Sequence, residues 1–115
     1  MNRISAHMLG IDRGSVTLFS DFEDNGPMWA GHGPREAHRS VTFATPFLAP
    51  PHVLLGVSLW DADCTTNLRA DLQAVDVTAK GFTIRFRTWG DTRLARLRAD
   101  WTAMGQAPDP ERWNV

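Results

Sequence analysis

The chain has 115 residues, of which 43% are hydrophobic and 22% charged, and a formal net charge of -1; this is the composition of one globular domain able to bury a single core. The near-neutral balance gives no general reason to expect nucleic acid, and one cysteine, Cys64, excludes an internal disulfide. No stretch approaches a membrane span, and the opening MNRISAHMLGIDRG lacks the uninterrupted apolar run of a secretory signal, so the chain is expected to be soluble as it stands, with any role outside the cell or on a particle surface reached by another export route.

Residues 1–12 read as an N-terminal segment, 13–105 as the folded domain and 106–115 as a polar tail carrying Trp113. Over 13–22, Val16 and Leu18 alternate with Ser15, Thr17 and Phe19, which predicts a first strand. Residues 21–39 hold three glycines and two prolines and are expected to form an ordered loop, anchored on the sheet by Met28 and Trp29. A second strand is predicted over 41–47, with Pro46 placing it at an edge or a bulge. After Pro50 and Pro51, the alternation of Val53, Leu55, Val57 and Leu59 with Leu54, Gly56, Ser58 and Trp60 is the cleanest strand signal, and a central position is expected for it.

Residues 61–68, DADCTTNL, carry turn chemistry. Asp61, Asp63, Thr65 and Asn67 have the odd-position spacing of a calcium loop, but Thr66 replaces the required glycine and Leu72 the bidentate acid, so no metal is expected. A strand over 69–78 follows, with Arg69, Asp71 and Gln73 on its polar face, and then a tight turn at Lys80-Gly81. Over 92–105 the apolar residues fit both a helix and a strand; the short regular spacing of the preceding strands decides for a sixth strand.

The four histidines, His7, His32, His38 and His52, lack zinc-ligand spacing, there is no nucleophile elbow, and Cys64 has no histidine placed beside it. Neither cofactor nor catalysis is therefore expected. Trp60 and Trp89 interleaved with arginines suit single-stranded nucleic acid in principle, but the neutral balance and the absence of tyrosine count against it. The clearest constellation is GFTIRFRTWGDT. Phe82, Ile84 and Phe86 face one way; Thr83, Arg85, Arg87 and Trp89 face the other. An indole beside arginines, followed by Gly90 and Asp91, suits a sugar-stacking platform, although spacing alone favours a rim tryptophan covering a sheet edge. Arg69, with its fork of donors, fits a role in gripping hydroxyls or one in bridging Asp71 or Asp91.

Taken in order, Val41-Thr42-Phe43-Ala44-Thr45-Pro46-Phe47, Pro50-Pro51-His52-Val53, Asn67-Leu68-Arg69, Gly81-Phe82, Thr88-Trp89-Gly90-Asp91-Thr92 and Trp101 resemble the H-type lectin domain family over residues 35–105. Met28-Trp29 and Gly33-Pro34-Arg35-Glu36 resemble its bacterial branch. The resemblance implies an all-β, six-stranded antiparallel β-sandwich assembling as a homotrimer, which binds N-acetylgalactosamine or galactoside-type glycans between protomers without metal or catalysis. It assigns sugar contact to Arg69 and Trp89. Gly90 stands where the family pattern carries histidine and His32 where it carries a sugar-contacting aspartate, with Asp91 a partial substitute for the latter. These departures leave an alternative, a non-catalytic structural domain with the same fold, such as a spike or fibre component, whose sugar binding is altered or lost. In the trimer, Leu54, Trp60 and the arginines of the last strand are expected to pack against a neighbour, meeting acids such as Asp71 and Asp100.

Overall fold

A computed structural model describes residues 1, 3 and 8–109; His7, Trp113 and the tail from 110 onward lie outside the described residues. Six strands form two three-stranded antiparallel sheets packed face to face. One sheet has the order β1 (Leu9–Ser20), β6 (Leu94–Gln106), β3 (His52–Ala62), and the other β2 (Arg35–Thr42), β5 (Gly81–Thr88), β4 (Asp71–Val75). This is the expected β-sandwich. A single helical turn, α1 (Pro27–Ala30), closes one end, and among the described residues no helix is long and apolar enough to cross a membrane.

The core follows from alternation. β5 buries Phe82, Ile84, Phe86 and Thr88 in strict succession, and β6 turns Leu97, Ala99, Trp101 and Ala103 inward. At one end Phe43, Phe47, Phe82 and Trp101 form an aromatic cluster with ring centroids 5.0–5.9 Å apart. Each such pair adds roughly 0.5–1.5 kcal/mol beyond its buried area. At the other end Phe19 meets Phe86 at 5.6 Å, above the fully buried Leu18 and Leu94.

Several elements differ from expectation, each for a physical reason. β1 starts at Leu9, and a bulge between Thr17 and Phe19 puts Leu18 and Phe19 both in the core, although simple alternation assigns them to opposite faces. β2 lies at 35–42 rather than 41–47. Beyond it Pro46 can make no ladder bond, and the chain bends so that Phe43 and Phe47 bond to the carbonyls of Lys80 and Ala79 while their rings enter the core. The strand expected to be central, β3, is an edge strand; the centre of its sheet is β6. The strand expected over 69–78 shrinks to Asp71–Val75, leaving Arg69 in an irregular segment before it.

Gly81 shows why Gly-Phe opens β5. A Cβ at this position would collide with the Val41 carbonyl oxygen and press on Thr42 Cα at 3.2 Å, both backbone atoms of the neighbouring strand. Gly81→Ala is expected to cost about 2–3 kcal/mol through this overpacking. Gly56→Ala, whose Cβ would meet open space, is expected to leave stability within about 0.5 kcal/mol. Urea unfolding of the two variants beside the parent measures the difference.

Candidate carbohydrate site

The end of the sandwich that carries Trp89 is organised by hydrogen bonds between loops. β5 ends at Thr88, and the turn Trp89-Gly90-Asp91 leads to β6. Both flanking threonines are buried, at 2% and 1% exposure, and both hydroxyls bond to the backbone of the Asn67-Leu68-Arg69 segment. Thr88 Oγ1 donates to the Arg69 carbonyl at 2.5 Å. Thr92 Oγ1 donates to the Asn67 carbonyl at 2.6 Å and accepts from the Arg69 N–H at 2.9 Å. Asp91 adds a third hold, its carboxylate accepting from the backbone N–H and side-chain amide of Asn67 at 3.2–3.4 Å. The spacing Thr-x-x-x-Thr is thus a clamp whose object is the backbone of Asn-x-Arg.

This clamp fixes where Arg69 starts. Among the described residues the Arg69 guanidinium donates no hydrogen bond, and the side chain is exposed. Neither expected structural partner hydrogen-bonds it: Asp71 is bound by Arg87, with Nη2 at 2.5 Å and Nε at 3.1 Å, and Asp91 holds Asn67 and meets Arg69 only through a weaker charge attraction. The Arg87–Asp71 pair also occupies, within one chain, an acid expected to meet a neighbour. Gly90 has φ +71°, in the region that favours glycine, and a Cβ there would stand 3.1 Å from Arg69 Nε. The Arg69 stem therefore lies against residue 90, and the missing side chain is what makes room for it. Trp89, next along the turn, is 46% exposed.

His32 reaches the same place by a different route. It sits exposed on the loop after α1, between two pinned glycines: Gly31 N–H donates to the Pro27 carbonyl, and Gly33 N–H donates to the Gly90 carbonyl at 2.8 Å. Beneath that loop lies Arg35, only 9% exposed. Its guanidinium donates to the carbonyls of Gly33 (2.9 Å), Gly31 (3.1 Å), Pro27 (3.2 Å), Gly90 (3.2 Å) and Met28 (3.3 Å). Among the described residues no carboxylate pairs with it, and burial lowers its pKa from the usual arginine value. The charge is instead spread over carbonyl dipoles, two of them those of Pro27 and Met28 in α1.

Arg93 performs a similar task on the other side of α1. Its guanidinium lies 4.2 Å over the Trp29 ring, its Nε donates to the Trp29 carbonyl at 3.0 Å, and Nη1 pairs with Asp63 at 3.3 Å. Asp63 also accepts from the backbone N–H and hydroxyl of Thr65, bonds that hold its carboxyl below the usual range, with a smaller contribution from Arg93. Asp61 pairs with Arg96. The acids of the calcium-like spacing are engaged in turn chemistry and ion pairs, and among the described residues no group of three or more potential ligands could hold a metal ion.

Arg69 and Gly90 are therefore brought together, with Trp89 and Asp91 on the same turn, and the loop carrying His32 is tied to that turn through Gly33. Sequence reasoning missed the supporting residues: Arg35 enters it only through the family resemblance, and Thr88 and Thr92 only as turn residues. The signal that marks the threonines is their placement at a strand end in an otherwise apolar inward row.

Comparison with known proteins places this geometry in context. Residues 38–104 match the H-type lectin domain. Along its full length the chain is 51% identical to the ATP synthase subunits region ORF 7 protein of Fuscovulum blasticum, covering 99% of it. It is 36% identical over 81 residues to a discoidin-1 polypeptide of Dictyostelium discoideum, 70% of this chain and 32% of that one. The chain thus spans about a third of this discoidin. The solved structure of recombinant discoidin II of Dictyostelium discoideum superposes with a TM-score of 0.75 at 26% identity, over 91% of this chain and 39% of that one. The tailspike protein gp49 of Pseudomonas phage LKA1 shares the fold alone, with a TM-score of 0.53 and 16% identity over 87% of this chain and 15% of that one.

Two predictions test the framework. Arg35→Ala removes a donor from five carbonyls, of which those of Pro27 and Gly90 keep a backbone N–H, and is expected to lower unfolding free energy by about 3 kcal/mol; Arg35→Lys should recover only part, because an ammonium lacks the planar fork. Urea denaturation reads the loss, and faster exchange of the Gly33 amide locates it. Asp91 provides the second. The backbone bond from Asn67 chiefly holds its carboxyl below the ordinary range, so its stabilisation is complete above the unfolded-state value of about 4 and is lost as pH falls through the depressed folded value. Asp91→Asn should therefore lower Tm near pH 7, and the difference from the parent should shrink as pH falls below the ordinary carboxylate range, as followed by thermal denaturation from neutral to acid pH.

Proposed function

Because this chain belongs to the H-type lectin domain family, we propose that it is a non-catalytic carbohydrate-binding protein, and that the Arg69–Trp89 turn is its glycan site. One observation supports the reading: Arg69 has a clamped backbone and an exposed guanidinium that donates no hydrogen bond among the described residues, and its stem lies against Gly90, the residue after the half-exposed Trp89. The arginines around it are engaged, Arg35 with carbonyls, Arg93 with Trp29 and Asp63, Arg87 with Asp71. A donor fork that folding has positioned but not consumed suits the hydroxyls or acetamido carbonyl of N-acetylgalactosamine or a related galactoside, with the sugar's apolar face on Trp89. His32 contributes a ring nitrogen at the rim, and Gly90 contributes space.

Arg69, Trp89, Gly90, His32 and Asp91 are all exposed in the single chain. A sugar gripped from this side alone would keep much of its surface in water, so a second wall from a neighbouring protomer completes the pocket. The two edge strands of the β1-β6-β3 sheet support such assembly. β3 exposes Leu54, Val57 and Trp60, and β1 exposes Leu9 and Ile11, at 43–62%. A homotrimer covers these residues and sets three weak sites on one particle, which suits recognition of cell-surface glycans by avidity.

A glycan array read with the multivalent protein, followed by calorimetry on the best ligand, tests the site. Arg69→Ala and Trp89→Ala are each expected to weaken binding at least about tenfold, equivalent to roughly 1.4 kcal/mol, without loss of fold. Absence of binding by the parent protein to any glycan at high valency would favour the alternative of a structural spike or fibre domain. Light scattering at micromolar concentration should return three times the chain mass; a monomer would remove the intersubunit pocket.

A further inference from the structure

A cavity of about 460 Å³ opens at the end of the β1-β6-β3 sheet and contains none of the five residues of the proposed Arg69 site. Its volume lies within the roughly 300–1,000 Å³ typical of small-molecule sites. Phe22 and Trp29 form its aromatic side, their rings 5.0 Å apart and edge to face. Arg93 lies over the Trp29 ring and bonds to its carbonyl, fixing that indole in place. Phe22 is 56% exposed, with no part in the core. Ala62 and Ala95 also line the cavity and fill little of it.

The polar rim follows from strand register. Ser20, Arg96 and Asp61 stand in one row across β1, β6 and β3, and Glu23 joins them from the loop after β1. Asp61 and Arg96 make one contact at 3.4 Å with both side chains about half exposed, so each keeps hydrogen-bonding capacity to spare. Glu23 has no partner among the described residues. Donors and acceptors therefore alternate around an opening with an aromatic wall.

From this arrangement we infer that the cavity is a second saccharide subsite, taking one neutral pyranose. A pyranose offers an apolar C–H face for Phe22 and Trp29, and hydroxyls that both donate to Asp61 and Glu23 and accept from Arg96 and Ser20. Two carboxylates against one guanidinium exclude an anionic sugar or a phosphate. The subsite shares its ligand class with the Arg69 turn and is tested separately from it. Arg35 ties α1 to the Gly90 turn and Arg93 ties Trp29 to the start of β6, so with both subsites filled one chain becomes bivalent.

The test is a nitrogen-15 NMR titration of the tryptophan indole signals, assigned by Trp29→Phe and Trp89→Phe, with galactose, N-acetylgalactosamine, glucose, mannose and fucose to about 50 mM, a range suited to weak single sites. Glucosamine serves as the cationic arm. At least one neutral sugar is expected to shift the Trp29 signal. Phe22→Ala and Asp61→Asn, both at exposed positions, should each weaken that shift about tenfold, and Arg69→Ala should leave it unchanged. Shifts confined to Trp89 would overturn the subsite while sparing the lectin reading. A Trp29 shift given by glucosamine alone would make the cavity a cation site, and one abolished by Arg69→Ala would make it part of the first site; either overturns the inference. Silence at both indoles removes both sites.

Discussion

One buried guanidinium holds together the end of the molecule that carries Arg69 and Trp89. Arg35 sits at the start of β2, facing inward where an apolar side chain would ordinarily stand, and its donors reach five backbone carbonyls. Those carbonyls belong to three separate pieces of chain: the α1 turn, the glycine-rich loop that follows it, and the Gly90 turn. None of them has enough apolar surface to fix itself by packing alone; Met28 is the one core residue that α1 supplies. A planar, permanently charged group with five donors satisfies all three at once, which a single neutral side chain could not do. The cost is desolvation of a cation, offset by hydrogen bonds to dipoles rather than by a counter-ion.

A second layer of polar satisfaction stands on that anchor. Thr88 and Thr92 hold the backbone on either side of residue 69, Asp91 holds Asn67, and Gly90 lies under the Arg69 stem. Arginine is a costly side chain to immobilise, and fixing its backbone in advance removes part of that cost from binding. The result is a division of labour among arginines at one end of the fold: Arg35 and Arg93 are consumed by structure, and Arg69 is left with its donors facing solvent. The absence of a side chain at residue 90 keeps the turn compatible with that arrangement, because φ there lies in the left-handed region.

The β-sandwich was legible in the sequence wherever a strand has one dry face. β5 and β3 alternate cleanly, and β6 was separated from a helix by the spacing of its neighbours rather than by its own residues. Where packing departs from strict alternation the reading failed. The bulge at Thr17/Phe19 is invisible in a pattern of hydrophobicity, and β2 was hidden because its alternating row holds Arg35, Ala37, the exposed Arg39 and Val41, hardly an apolar stripe. The edge position of β3 was misjudged because alternation reports burial of a face and carries no information on how many neighbours a strand has. At the site, the Thr-Trp-Gly-Asp-Thr and Asn-Leu-Arg pieces were visible separately. Their union depends on hydroxyl-to-carbonyl bonds across about twenty residues, a contact that local composition does not encode.

In the proposed site the fixed backbone and exposed guanidinium of Arg69 act with Trp89 on a sugar, and a second protomer completes the surface. The most direct test is a crystal structure of the protein soaked with N-acetylgalactosamine. The account predicts density for the sugar in contact with Trp89 and the Arg69 guanidinium, closed on its far side by a neighbouring copy, with Arg35 still bonded to the Gly90 carbonyl. Arg69 paired with a carboxylate of its own assembly and no sugar beside Trp89 would contradict it.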